Sequence, residues 1–252
     1  MIRRARPHLG TIVGISADAT PPAVSAAFAA IEQVHLLMSA QRSGSDIGRI
    51  NREAFRRSVR VHAWTFEVLE RAMQISERSG GAFDIVMPGT GAHFTDIVLE
   101  QSCVRLRRPA RVDVSGIAKG FAVDMAVGVL QANGARAGSV NAGGDLRFFG
   151  DWQGAVRVRV PGNLGAAICL PPSAHEAFAT SSGYFGASLN DPRTSACAAI
   201  DWSVTVAAAT CLVADALTKA VALLGPARWL LKQFEAAAFA IDGDGRLHAA
   251  AG

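Results

Sequence analysis

Lysine is nearly absent from this chain. Of its 25 basic side chains only Lys119, Lys219 and Lys232 are lysines, and the other 22 are arginines. Arginine therefore carries the surface positive charge, which makes the position of each lysine informative. Tyrosine occurs once, at Tyr184, and aromatics make up 7% of the chain. Basic residues cluster only at Arg3, Arg4 and Arg6 and at Arg105, Arg107, Arg108 and Arg111. No basic helix carries interleaved aromatics, which argues against nucleic acid as a partner. The cysteines (Cys103, Cys169, Cys197, Cys211) form no CxxC pair, so a disulfide scaffold is excluded and reduced, mostly buried thiols are expected. The histidines show neither HExxH nor Cys/His metal spacing. No apolar run approaches the length of about 18 residues that marks a transmembrane helix. Near the start, the apolar stretch Ile12 to Ile15 is too short for a signal-peptide core, and no small-residue cleavage site or lipidation cysteine follows it. As written, the chain is expected to be cytoplasmic.

What is present is a long apolar chain. It has 252 residues, 50% of them hydrophobic and 18% charged, with a net charge of +4. That is enough to bury a full core, and it argues against disorder. Apolar spacing predicts a strand at 9–17, a helix at 22–39, a turn at 43–46 and a helix at 63–78. A hairpin at 95–107, a short strand at 111–114, a turn at 115–117 and a helix at 118–132 follow. Next come strands at 137–149, bent at Gly143-Gly144-Asp145, and at 154–160, then a loop-rich stretch over 161–197 with a strand near 176–181. A strand at 201–208, helices at 210–224 and 226–235 and a hairpin at 237–249 complete the chain. Strands and helices mix without βαβ alternation, so the expected class is α+β, as a single domain over 1–252 with an internal cleft.

Five segments have the composition of a binding site. In Val112-Asp113-Val114-Ser115-Gly116-Ile117-Ala118-Lys119-Gly120 a strand passes through small residues into a helix. Such a turn lets a ligand approach the backbone, and Lys119 adds a full positive charge; a plain strand-to-helix turn reads the same locally. In the helix from Cys211 to Leu224 only Asp215, Thr218 and Lys219 are strongly polar, and their spacing puts them on one face. The remainder is apolar all round, as in a buried helix. A buried carboxylate needs a partner. For Asp215 that partner is either Lys219 one turn on, or a metal or ligand phosphate, and the helix alone does not choose. Ser79-Gly80-Gly81-Ala82-Phe83-Asp84 reads as a helix cap and turn, Ser139-Val140-Asn141-Ala142-Gly143-Gly144-Asp145 as a bulge or close backbone approach, and Ala179-Thr180-Ser181-Ser182-Gly183-Tyr184 as a hydroxyl-rich loop.

The order of these segments is more specific than any one of them. Leu9-Gly10-Thr11, Met38-Ser39, Ser45-Asp46-Ile47, Arg49-Ile50-Asn51 and Gly80-Gly81-Ala82-Phe83-Asp84 come first. Asp113, Gly116-Ile117-Ala118-Lys119-Gly120-Phe121-Ala122-Val123-Asp124, Asn141-Ala142-Gly143-Gly144-Asp145, Ala179-Thr180-Ser181, Asp191-Pro192-Arg193-Thr194, Ser203-Val204-Thr205-Val206 and Ala214-Asp215-Ala216-Leu217 follow. In this order, over nearly the whole chain, the sequence resembles the ApbE-like flavin transferases (FAD:protein FMN transferases).

The resemblance implies an α+β domain of mixed, largely antiparallel sheets packed with helices around a ligand cleft. It implies FAD as ligand and substrate, with Mg²⁺ assisting transfer of the FMN half onto a Thr or Ser hydroxyl of a target protein and release of AMP. Carried over, Leu9, Gln41, Ala82, Phe83, Asp84, Asp113, Lys119 and Asn190 belong to the FAD site. The Gly116 carbonyl and Asp215 are the implied metal ligands, and Asp215 and Lys219 the implied catalytic positions; Thr218, about 100° round the helix from the position of the family's Thr, is the candidate replacement ligand. Family members are often exported. An inactive FAD-binding carrier and an FAD pyrophosphatase giving FMN and AMP are the alternative functions.

Departures from the family pattern fall inside the site. Lys219 stands where the family usually has Thr, Gln41 where it has Tyr, Ser188 where it has His, Ser195 where it has Gly and Leu9 where it has Met. At an effective dielectric of 20, two unit positive charges about 4 Å apart repel by about 4 kcal/mol, and an ammonium facing a dication by roughly twice that. Lys219 is therefore expected to pair with Asp215 and to occupy or block the metal position.

Overall fold

The structure is a computed structural model; it describes the chain except residues 153, 172, 183–187 and 200–201 and the side chains of 164, 188, 198 and 199. Gly183, Tyr184 and the side chain of Ser188 thus lie outside the described residues. The first half contains β1 (Ile2–His8), β2 (Thr11–Ala17), α1 (Pro21–Met38), α2 (Asp46–Glu53), β3 (Val59–Arg60), α3 (Ala63–Arg78), β4 (Ile97–Glu100), β5 (Cys103–Leu106) and α4 (Ser115–Ala132). Strands β6 (Gly138–Ala142), β7 (Asp145–Phe149), β8 (Arg157–Val160), β9 (Asn163–Cys169), β10 (Ala177–Ser182), β11 (Ser188–Asn190), β12 (Cys197–Ala199) and β13 (Ser203–Ala208) follow. The chain closes with α5 (Cys211–Leu224), α6 (Arg228–Gln233), β14 (Ala237–Ile241) and β15 (Leu247–Ala251).

An eight-stranded sheet in the order β1-β2-β6-β7-β10-β13-β14-β15 forms the spine. Each neighbouring pair in it is antiparallel. Helix α4 packs on β6 and β7, α5 on β10 and β13, and α1 on α4. The other face of the same strands carries a second apolar cluster, in which Phe178, Ala207 and Phe239 meet Val158 and Val160 of the β8-β9 hairpin. That explains why every residue of β13 is buried: successive side chains point to opposite faces, and both faces are covered.

The predicted α+β class stands, and some boundaries move. The 9–17 strand is instead a hairpin strand whose partner is β1. His8 pairs with Thr11 across a two-residue loop, with Leu9 at φ 54° and Gly10 at φ 73°. Positive φ at both positions is the hairpin turn that matches strand twist. Leucine rarely adopts it, and the turn shows only as Leu-Gly in sequence. Helix α2 was not expected. Ser45 caps it, accepting from Gly48 N at 2.8 Å, and only Ile47 and Ile50 of its larger apolar side chains are buried, too few for a periodic signal. Helix α4 starts at Ser115 rather than 118, because Val114 O already accepts from Ile117 N at 3.0 Å and Ala118 N at 2.8 Å.

Glycine decides how closely α4 meets α5. A Cβ on Gly120 would lie 2.2 Å from Cys211 O and 2.9 Å from Asp215 Cβ, so the two backbones touch there. Asp124, one turn further along α4, accepts from Cys211 N at 3.0 Å and Leu212 N at 2.9 Å. It thereby supplies the partners that the first turn of α5 lacks. Gly120→Ala is predicted to force the helices apart and destabilise the fold by about 3 kcal/mol or more, since the obstacle is backbone. Gly128→Ala, in the same helix but with open space around it, is predicted to stabilise by up to about 1 kcal/mol. Urea denaturation of both variants checks the contrast.

Candidate functional site

Asp215 sits at the α4–α5 contact and is fully buried. Its Oδ2 accepts from Gly120 N at 3.0 Å, and its Oδ1 is paired with the Lys219 ammonium. Lys219 Nζ also donates to Asp215 O at 2.9 Å. Burial works against the carboxylate charge, but Lys219, Lys119 and the Gly120 amide outweigh it and hold Asp215 below the ordinary aspartate value. Thr218, also buried, donates to Asp215 O at 2.7 Å and shares a 2.6 Å hydrogen bond with Ser181 Oγ. The stem of Lys219 lies over Gly116: a Cβ there would be 3.5 Å from Lys219 Cε and 3.6 Å from the Phe83 ring. Gly116, Thr218, Asp215 and Lys219 therefore come together, as their segments predict.

A second charged pair adjoins the first. Lys119 Nζ is bonded to Oδ2 of Asp145, the residue that opens β7 after the Gly143-Gly144 turn. Asp145 is 1% exposed, and its Oδ1 has no hydrogen-bond partner among the described residues. The pair responds asymmetrically. Burial opposes the Lys119 charge, yet Asp215 and Asp145 together raise its pKa, so the ammonium is retained. Burial and the neighbouring Asp215 push Asp145 up to about 7, against the pull of Lys119 and Lys219. Asp145 is the carboxylate that yields, because it faces another carboxylate and one of its oxygens is unpaired. Sequence reading treated Asp145 as part of a turn; no periodicity marks it as the partner of Lys119.

Lys119 opens onto a cleft of about 410 Å³ lined by Leu9, Gln41, Asp113, Ser115, His35 and Met38, among others. The volume lies within the range of small-molecule sites. Four residues implied as FAD contacts, Leu9, Gln41, Asp113 and Lys119, thus line one cleft; His35 was not anticipated. A further concavity of about 540 Å³ borders the same turns and is lined by Thr11, Gly143, Gly144, Arg157, Thr180 and Ser182. The turns allow this approach. Gly143, at φ 64°, has no room for a Cβ, which would meet Thr11 Oγ1 at 2.5 Å.

Other predicted residues support the cleft from outside it. Ala82, Phe83 and Asp84 are largely buried and do not line it. Asp84 accepts from Val86 N at 2.8 Å and Phe94 N at 3.0 Å, and burial raises its pKa. Asn190 is exposed at the end of β11, beside the Asp191–Arg193 pair, and Arg193 packs against Gly81. Within the Ser45-to-Asn51 segment, Asp46 accepts from Thr65 Oγ1 at 2.7 Å and His62 N at 2.8 Å. Asn51 accepts from Val112 N at 2.7 Å and donates to Val112 O at 2.9 Å. The predicted strand at 111–114 is only an isolated bridge from Val112 to Val86; by holding Val112, Asn51 fixes the segment that delivers Asp113, whose Oδ1 accepts from Ser115 N at 2.8 Å.

The cleft thus lies between the β1–β2 turn, the C-terminal end of α1 and the start of α4. The structure is similar to the flavin transferase ApbE of Vibrio cholerae, with a TM-score of 0.84 at 21% identity over 99% of this chain and 96% of the other. An ApbE protein of Thermotoga maritima gives 0.83 at 22%, with the same coverage. In sequence, the ApbE family model matches residues 9–239, and the chain belongs to that family. The FAD:protein FMN transferase of Rhodobacter capsulatus is 31% identical over 150 residues, which are 54% of this chain and 28% of that protein. The enzyme of the same name from Treponema pallidum (strain Nichols) is 27% identical over 205 residues, 64% of this chain and 56% of that one. The chain thus matches between about a quarter and about half the length of these curated relatives.

Asp145 gives the site a pH signature. Its folded pKa lies above the ordinary 3.8, so between that value and about 7 the folded protein binds a proton that the unfolded chain has released. That contribution to stability is present at low pH and is lost as the pH rises towards 7. The unfolding free energy of the wild type relative to Asp145→Asn is predicted to fall by about 1 kcal/mol or more from pH 4 to 7, then level off. Urea titrations of both proteins across this range measure it; a difference that rises with pH contradicts the assignment.

Proposed function

We propose that the chain binds FAD and transfers its FMN half onto a Thr or Ser hydroxyl of a target protein, releasing AMP. The observation that carries this reading is Lys119. It is one of three lysines in the chain and lies in the wall of the cleft, held charged by buried carboxylates. An ammonium has three donors, and only the bond to Asp145 occupies one of them among the described residues. The others are available to a diphosphate. Leu9 and Met38 offer apolar surface beside it, and Gln41, in the family's Tyr position, offers a polar edge.

In the reaction, the acceptor oxygen forms a new bond to the FMN phosphorus. The bridging P–O bond breaks, AMP leaves with that electron pair, and the hydroxyl proton passes to water. Fixed positive charge beside the diphosphate stabilises the charge that grows on the departing phosphate. Lys119, positioned by Asp145, supplies that charge at the start of α4.

Two observations favour a second reading, a carrier that binds FAD without transfer. Lys219 is engaged with Asp215, and the family's His position is Ser188. Incubation with FAD and a protein extract as acceptor source separates these readings. Transfer gives AMP together with a fluorescent protein band after denaturing electrophoresis, pyrophosphatase activity gives AMP with free FMN, and a carrier gives neither. Lys119→Met is predicted to weaken FAD binding about 10- to 100-fold, the effect of losing a hydrogen bond to a charged group. Fluorescence titration measures it; an unchanged affinity removes Lys119 from the site.

A further inference from the structure

Resting on the flavin reading, we infer that the Lys219 ammonium is this site's built-in cation and takes the place of a separately bound divalent ion. The oxygen atoms that a metal would need are already occupied. Of the Asp215 oxygens, Oδ1 holds Lys219, Oδ2 holds the Gly120 amide, and the carbonyl oxygen accepts from both Lys219 Nζ and Thr218 Oγ1. The Thr218 hydroxyl is itself shared between Asp215 O and Ser181. The Lys219 stem covers Gly116, the other implied ligand. Among the described residues, no group of three or more His, Cys, Asp and Glu side chains stands ready to hold a metal.

The charges also balance without an ion. Lys219 already neutralises Asp215, and a dication added beside it would meet its positive charge at short range. Lys219 instead meets the needs of the buried Asp215 and keeps a donor in reserve. Two of its three N–H groups go to Asp215 Oδ1 and O, the third has no partner among the described residues, and the side chain is 23% exposed. Through that donor, Lys219 contributes one fixed positive charge to a ligand phosphate, alongside Lys119. The consequence is a site whose affinity for FAD does not depend on Mg²⁺.

The test uses the full chain and needs no turnover. Mn²⁺ binding is followed by the loss of the free-ion paramagnetic resonance signal, without FAD. FAD affinity is measured by flavin fluorescence in EDTA and in Mg²⁺. The wild type is expected to bind no Mn²⁺ and to change its FAD affinity by less than about twofold between the two buffers. Lys219→Thr is expected to gain one Mn²⁺ site and to bind FAD about tenfold or more tightly with Mg²⁺ than with EDTA. Lys219→Met, which keeps the stem and drops the charge, is expected to weaken FAD binding in EDTA by about tenfold, and serves if the threonine variant fails to fold. Mn²⁺ uptake by the wild type, a folded Lys219→Thr that still refuses the ion, or a tenfold loss of wild-type FAD affinity in EDTA would overturn the inference. Absence of FAD binding in every condition would instead defeat the flavin reading, while the Mn²⁺ arm still decides the role of Lys219.

Discussion

A single buried carboxylate holds the site together. Asp215 reaches across the α4–α5 contact to the Gly120 amide, and this is possible only because residue 120 has no side chain. The helices meet at backbone distance, so Asp215, Lys119 and Lys219 are forced into one small volume. An isolated ion there would be untenable. The structure resolves this with two lysines and a second aspartate, and the cleft inherits their charge. Asp124 repeats the same principle one turn along α4, where it caps α5 and pairs with Arg147.

Order along the sequence exposed the family, and local pattern exposed most helices. Helix α5 was legible because three polar residues share a face in an otherwise apolar segment, a pattern that also required a partner for Asp215. The helix alone left the choice between partners open; the repulsion between Lys219 and a dication pointed to Lys219, and the structure contains that pair. Asp145 was hidden for a related reason. Its partner lies 26 positions away, joined by sheet topology rather than by spacing. Helix α2 was hidden by its charge, and the Leu9-Gly10 turn by a backbone conformation that leucine seldom takes.

Family segments divide into two physical kinds. Asp46, Asn51 and Asp84 spend their hydrogen bonds on the backbone, on Thr65 and on Arg49, and so build the walls. Lys119, Asp113, Leu9 and Gln41 face the cleft. Sequence resemblance places Asp84 in the binding site together with Lys119, Asp113, Leu9 and Gln41. Burial and hydrogen-bond partners separate them, and they shift attention from Ala82, Phe83 and Asp84 to the glycine turns around Asp145.

The chemistry of the site turns on what neutralises Asp215 when a nucleotide is present. A crystal of the FAD complex grown with Mn²⁺, with anomalous diffraction recorded at the manganese edge, answers this directly. The predicted result is FAD in the cleft, Lys219 Nζ still on Asp215, and no anomalous peak between Asp215 and Gly116. A manganese peak bound to Asp215, with Lys219 swung away, would contradict it.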